Sequence, residues 1–313
     1  MEAALRAEEP VDCLIVGGGP GGLTAAIYLA RFHRSFRLID AGESRASWIP
    51  RSHNHPGFPE GVNGVELLER MRAQLAKHGS TPENASVTSI SCRPDGTFAA
   101  KIGPETVMAR HIILATGVVD IEPPLPNALE AVRRGLVRQC PICDGYEMTD
   151  RKLVVIGRNE AGIGEALFLR TYTADITVVT LGQPLVVSDA IRAQIEENGI
   201  KVIETPLEDI AMEGQRIARL TFADGAALTF DSIYSALGIH PRADLAAMLG
   251  VKLQSDNRIV TDAHQRTSIE GCYAAGDIVT GLNQLGVAMA QGEIAAVDIH
   301  NRLRVQEGLK LAS

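Results

Sequence analysis

The sequence predicts an α/β protein of two doubly wound, three-layer domains, the second inserted into the first. Three observations predict it. A strand, a glycine-rich turn, a helix and a second strand open the chain between residues 11 and 40. A second pattern of the same kind follows, its first glycine (Gly157) lying 140 positions after Gly17. Two linkers bracket that second pattern: 117–127, with three prolines, and 237–242. The boundaries expected are 1–117 plus 243–313 for the first domain and 118–242 for the inserted one.

Bulk properties set limits. With 313 residues, 45% hydrophobic and 22% charged, the chain is ordinary in composition and long enough for two domains. A net charge of −8 argues against nucleic-acid binding, which needs a basic face to displace counterions, and against docking on an anionic membrane. No run reaches the roughly 18 to 20 apolar residues of a membrane span. The apolar stretch 14–30 is broken by five glycines and a proline, and Glu2, Glu8, Glu9 and Asp12 precede it instead of a basic leader. A cytoplasmic protein is expected, where structural disulfides are disfavoured.

The elements follow in order. Residues 11–16 are a short apolar run, the mark of a buried parallel strand. Leu23, Ala26, Ile27 and Ala30 have helical spacing over 22–32, and 36–39 is a second strand closed by Asp40. Spacing and propensity predict a helix over 64–78. A β-meander around Pro94-Asp95-Gly96 is expected over 86–112, then a buried strand at 112–115. In the second pattern, a strand at 152–156 leads through Gly157 to a helix ending near Arg170, with a strand at 176–180. Asp224-Gly225 predicts a hairpin over 217–237; a strand at 271–275 and a long helix over 284–304 complete the chain.

The first glycine turn reads Gly-Gly-Gly-Pro-Gly-Gly, placing Gly17, Gly19 and Gly22 in a G-x-G-x-x-G frame that also holds Pro20. Gly17 permits the tight turn, Gly19 lets backbone approach a pyrophosphate, and Gly22 lets helix pack on strand. The helix N-terminus offers N–H groups to phosphate. Asp40 lies where a carboxylate holds ribose hydroxyls. This makes the domains Rossmann-like and the first a dinucleotide site. Residues 113–117 (ILATG) and 272–277 (CYAAGD) resemble the paired signatures of FAD-binding reductases. That resemblance brings Thr116, Gly117, Gly276 and Asp277 to the FAD, with the helix from Gln284 aimed at its ring system.

Of five cysteines, Cys13, Cys92 and Cys272 are isolated and read as small core residues. Cys140 and Cys143 stand in Cys-Pro-Ile-Cys-Asp-Gly, a spacing that suits a disulfide or half a zinc site. Zinc needs two further ligands at matching spacing, and no second CxxC or HxxxH is present, so redox chemistry is favoured. A helix starting here would lower a thiol pKa, and Asp144 can shuttle the proton.

With the FAD motif, the CxxC-Asp-Gly and the C-terminal AAGD together, the chain resembles the low-molecular-weight thioredoxin reductases. Residues 54–59 (NHPGFP) and 61–71 (GVNGVELLERM) are similar to a further stretch of that family. The resemblance implies that Cys143 faces the flavin, Cys140 exchanges with an outside thiol, Asp144 is the acid and Asn54 touches the flavin. It also implies a homodimer with thioredoxin or a similar small dithiol protein, or a small-molecule dithiol, as partner.

The match departs at the second glycine turn. Residues 157–162 read Gly-Arg-Asn-Glu-Ala-Gly, so Asn159 replaces the glycine that approaches the pyrophosphate. After the next strand Thr180-Leu181-Gly182 supplies neither a cation for NADPH nor an acid for NADH. Weak or absent nicotinamide binding is expected. Near the flavin, 43–49 read ESRASWI and 283–285 read Asn-Gln-Leu where the family differs. Gly145-Tyr146-Glu147 looks like the dithiol oxidases that share this fold and pass electrons to oxygen, although those usually carry histidine at the position of Asp144. A flavin-binding redox sensor is the non-enzymatic alternative.

Overall fold

The computed structural model describes residues 9–125, 128–213 and 216–309, so Pro126 and Asn127 of the expected linker lie outside it. The chain forms two compact units. One comprises residues 1–47, 65–119 and 241–313, the other 48–64 and 120–240. The segment 48–64, read from the sequence as part of the first domain, packs with the second unit, where Trp48 lies against the apolar core around Val154 and Ile233.

The first unit is built on a seven-stranded sheet. Val11–Val16 lies parallel between Phe36–Asp40 and Glu105–Leu114, and Cys272–Ala274 pairs parallel with Ile112, Ile113 and Leu114. Residues 105–114 form one strand with two duties, where the sequence suggested the end of a meander and a separate strand. Its first part pairs antiparallel with Phe98–Ile102, and its second part joins the parallel sheet. Exposure explains the change of pattern: burial alternates over the first residues, and 111–114 are all buried. Leu14, Val16, Ile39, Ile112 and Leu114 share one core with Phe98 and Ile259. The helices Pro20–Arg31 and Leu285–Gln306 cross at Gly21 and Gly292, where a Cβ on Gly292 would overlap the Gly21 carbonyl. Cys92, expected in a core, is exposed at the end of Val87–Cys92.

The second unit carries a five-stranded parallel sheet in the order Lys201–Ile203, Ile176–Val179, Leu153–Ile156, Ser232–Ser235, Val137–Arg138. Glu160–Leu169 follows Leu153–Ile156, as its spacing predicts. The expected hairpin over 217–237 is corrected in two ways. Its strands Arg216–Phe222 and Ala227–Phe230 join Leu207–Glu213 in a separate antiparallel sheet. Ser232–Ser235 leaves them to become a buried central strand of the parallel sheet. The Asp224-Gly225 turn was legible; the parallel partner of so short a strand was not.

Candidate functional site

In the first unit, four stretches far apart in sequence meet at the carboxyl ends of parallel strands, the edge where open α/β sheets bind ligands. Val16 runs into Gly17, Ile39 into Asp40, Leu114 into Ala115 and Ala274 towards Gly276, and these strands pair in register. Gly17 has φ +109°, and a Cβ there would overlap the Ala115 carbonyl. A Cβ on Gly22 would overlap the Gly17 carbonyl. Both glycines are therefore demanded by the fold. Gly19 differs. It has φ −75°, which any residue adopts, and an added Cβ would meet only the Ser44 hydroxyl, at 3.3 Å. Gly19 is the N-cap of Pro20–Arg31, and no side chain caps that helix. Helix N–H groups without a side-chain cap, beside a glycine whose one near neighbour is a side-chain hydroxyl, are the cradle a pyrophosphate requires, so these residues fit an FAD.

The remaining expected FAD residues fall as follows. Asp40 is buried against Gly18, where a Cβ would overlap its carboxylate; its oxygens accept from the Gly42 N–H (3.0 Å) and the Arg72 guanidinium (3.3 Å). Gly18 was not singled out in the sequence, yet Asp40 can lie on the turn only because residue 18 has no side chain. Thr116 Oγ1 donates to the Arg242 carbonyl (2.8 Å), and the Gly117 carbonyl accepts from the Arg242 N–H (3.0 Å). Gly276 has φ +83° and donates its N–H to Gln291 (2.8 Å). The Asp277 carboxylate accepts from Arg45 (3.1 Å). Gln284 is the N-cap of Leu285–Gln306, without a side-chain capping bond. Gln291 and Arg45 are the partners that sequence reasoning missed. Asn54 lies in the second unit: its amide donates to the Ile142 carbonyl (3.2 Å), between the two cysteines, and its oxygen accepts from the Ser52 hydroxyl (2.8 Å).

In the second unit Cys140 and Cys143 are joined as a disulfide. Cys140 is the N-cap of the short helix Pro141–Asp144, with Pro141 at its first position, where the missing N–H costs nothing. Asp144 ends that helix. Its Oδ2 accepts from Arg138 (2.6 Å) and its Oδ1 from the Tyr234 hydroxyl (2.8 Å). Burial pushes the Asp144 carboxyl above the usual carboxylate range, against the opposing pull of Arg138 and Tyr234. Tyr234 is itself pushed up, by burial and by the Asp144 charge beside it. Ile142, between the two cysteines, and Tyr146, just after them, are exposed.

The second glycine turn keeps its fold glycines. A Cβ on Gly157 would stand 2.9 Å from the Gly162 Cα, so strand and helix approach as closely as glycine allows. Asn159 is the N-cap of Glu160–Leu169, and its Oδ1 accepts from the Gly162 N–H (3.1 Å). The helix N–H that corresponds to Gly22 in the first turn is thus bonded within the chain. Thr180 is buried, its hydroxyl donating to the Gln183 carbonyl.

The family model for pyridine nucleotide-disulphide oxidoreductases matches residues 11–292. A thioredoxin reductase of Treponema pallidum (strain Nichols) is 30% identical over 299 residues, covering 92% of this chain and 96% of that protein. The crystal structure of thioredoxin reductase from Streptococcus pyogenes MGAS5005 superposes with a TM-score of 0.87 at 26% identity, over 94% of this chain and 98% of that one. The crystal structure of HlmI superposes with a TM-score of 0.88 at 26% identity, over 96% and 95%. Among the described residues, no helix is long and apolar enough to cross a membrane.

Proposed function

The chain belongs to the pyridine nucleotide-disulphide oxidoreductase family and is a thioredoxin reductase-like enzyme, and from that premise we propose that electron pairs pass between a bound FAD and a partner disulfide by way of Cys140 and Cys143. The observation that carries this is the Cys140–Cys143 disulfide, closed within one turn of backbone and followed directly by a partly buried carboxylate. FAD, when bound, supplies a two-electron redox centre. Gly17, Gly19, Pro20 and Gly22 would hold its pyrophosphate, Asp40 its ribose, and Thr116, Gly117, Gly276, Asp277 and Gln284 the remainder.

Cys140 is the outer thiol and Cys143 the inner one. Closing their disulfide breaks the partner's S–S bond; one electron pair crosses, and the two protons of the dithiol end on the partner's sulfurs. Asp144 holds or releases the proton at Cys143. The partner is thioredoxin, a similar small dithiol protein or a small-molecule dithiol, and the enzyme acts as a homodimer.

Nicotinamide binding is weak or absent. The support is local: Asn159 occupies the Gly162 N–H that a pyrophosphate would need, and Thr180, Leu181 and Gly182 bring no cation to a 2′-phosphate. Losing one charge-assisted contact costs about 1.5 to 3 kcal/mol, roughly ten- to a hundredfold in affinity. The same capped helix favours a second reading, in which a substrate dithiol reduces Cys140–Cys143 and the electrons end on oxygen.

Anaerobic stopped-flow absorbance of the flavin against NADPH, NADH and dithiothreitol tests these readings. Dithiothreitol is expected to bleach the flavin, and micromolar NADPH to leave it oxidised. Fast bleaching by micromolar NADPH would overturn the nicotinamide reading. A flavin that dithiothreitol cannot bleach would overturn the relay through Cys140 and Cys143. Rapid return of colour on admitting oxygen would favour the oxidase direction.

A further inference from the structure

We propose that Arg138 and Tyr234 are positioning residues for Asp144, holding its carboxylate beside Cys143 and setting the pH at which it exchanges the thiol proton. The inference deepens the disulfide-relay reading and rests on it.

Asp144 sits at the end of a four-residue helix, an element too short to fix a side chain by itself. The neighbouring sheet does the fixing. Val137–Arg138 and Ser232–Ser235 run parallel with Tyr234 opposite Arg138, so the register delivers one guanidinium and one phenol to the same carboxylate. The two donors take different oxygens, which leaves the carboxylate little freedom to turn. Arg138 is anchored in turn: its Nε donates to the Ser232 hydroxyl (3.2 Å), which donates to the Leu136 carbonyl (3.1 Å). Tyr234 is fully buried among Leu153, Val155 and Ile163. A buried phenol needs a partner for its hydroxyl, and here that partner is the Asp144 carboxylate.

The charged and titratable groups acting on Asp144 are Arg138, Tyr234 and Glu147. Burial raises its proton affinity, the Arg138 charge and the two hydrogen bonds lower it, and Glu147 raises it again. A similar cluster elsewhere in the protein has one guanidinium more. Asp298 accepts from the Tyr273 hydroxyl (2.7 Å) and from Arg266, with Arg302 at 3.3 Å. There burial also pushes the carboxyl up, but the surrounding donors and charges outweigh it and hold Asp298 low. At Asp144, with one arginine and one phenol, burial outweighs the donors and the carboxyl stands high.

The step this serves balances as follows. An external dithiol thiolate attacks Cys140, the Cys140–Cys143 bond breaks, and the electron pair leaves on Cys143. Asp144 protonates Cys143. The second thiol of the external dithiol then attacks its own bonded sulfur, closing a cyclic disulfide and releasing Cys140, which takes a proton from solvent. The external dithiol loses two electrons and two protons, one of which restores Asp144 through solvent.

The test uses the purified holoprotein, free of oxygen, with dithiothreitol as the probe. Acid quench and alkylation followed by mass spectrometry count the thiols at Cys140 and Cys143, and each rate is divided by the dithiothreitol thiolate concentration at that pH. In the unmodified protein the corrected rate should fall as pH rises through the Asp144 titration, because the protonated form is the donor. Arg138→Gln should move that fall to higher pH, by removing a charge that favours the ionised carboxylate. Tyr234→Phe, which keeps the ring packing, should move it the same way by less. Arg138→Lys should bring it back towards the original position. A fall left in place by both Arg138→Gln and Tyr234→Phe would overturn the inference. Asp144→Asn separates this from the reading beneath it: losing the fall upholds Asp144 as the proton group, and keeping it removes that assignment.

Discussion

The two glycine turns solve the same backbone problem and end differently. Each brings a strand onto a helix through a pair of glycines: Gly17 with Gly22 in the first, Gly157 with Gly162 in the second. Each helix begins one residue after its N-cap. In the first that cap is Gly19, with no side chain; in the second it is Asn159, whose carboxamide oxygen accepts from the Gly162 N–H. A glycine fingerprint therefore mixes two kinds of glycine. The outer pair serves the fold and survives in both turns. The middle one is not demanded by the fold, and with asparagine in its place the chain bonds its own helix end.

Breaking the first turn at its ligand glycine should have the largest effect. Gly19→Val fills the space against which the pyrophosphate would lie, and the purified variant should contain little flavin by absorbance relative to protein. Stoichiometric flavin retained in that variant would remove the site assignment.

Opening the second turn should have the next largest. Asn159→Gly frees the Gly162 N–H, and one regained charge-assisted bond should raise NADPH affinity roughly ten- to a hundredfold. Flavin bleaching across an NADPH concentration series measures this, and an unchanged dependence would show that Asn159 is not the obstacle. Adding cations at 180–182 is poorly tolerated by the structure. Leu181 and Gly182 have φ +58° and +80°, and a Cβ on Gly182 would come within 2.9 Å of Pro206. The single substitution is thus the cleaner test.

Asn159→Ala asks only about the cap. Replacing a capping asparagine costs about 0.5 to 2 kcal/mol. Urea denaturation of the holoprotein should show a loss in that range, and no loss would mean that the capping bond contributes nothing to the second unit.

The contrast between the turns was half legible in the sequence. Glycine spacing after an apolar run, and Asn159 within it, are local signals, and they read correctly as strand, turn and helix. What Asn159 does was not legible: the sequence suggested a side chain in the way, and the structure adds a bond to Gly162. The gathering of Asp40, Ala115 and Gly276 at one sheet edge follows from parallel pairing, which apolar runs do announce. Arg138 and Tyr234 were missed because they lie 6 and 90 positions from Asp144, and only strand register brings them together. One faint signal was present: Tyr234 interrupts a buried strand with a hydroxyl that must find a partner.

The smallest predicted effect separates the two kinds of glycine within one turn. Gly19→Ala adds a single methyl group where the backbone is extended and only the Ser44 hydroxyl is near. Alanine is a poorer N-cap than glycine, but it also restricts the unfolded chain, and the two terms oppose each other at a few tenths of a kcal/mol to about 1 kcal/mol each. Flavin-free wild type and variant should therefore unfold in urea within about 0.5 kcal/mol of each other. Gly22→Ala, whose Cβ would overlap the Gly17 carbonyl, should be far less stable under the same conditions. With excess FAD the Gly19 pair should separate, because a ligand stabilises the folded state according to its affinity and the added methyl group weakens that affinity. Equal separation with and without FAD would make Gly19 a fold glycine like its neighbours, and the distinction between the two turns would then rest on Asn159 alone.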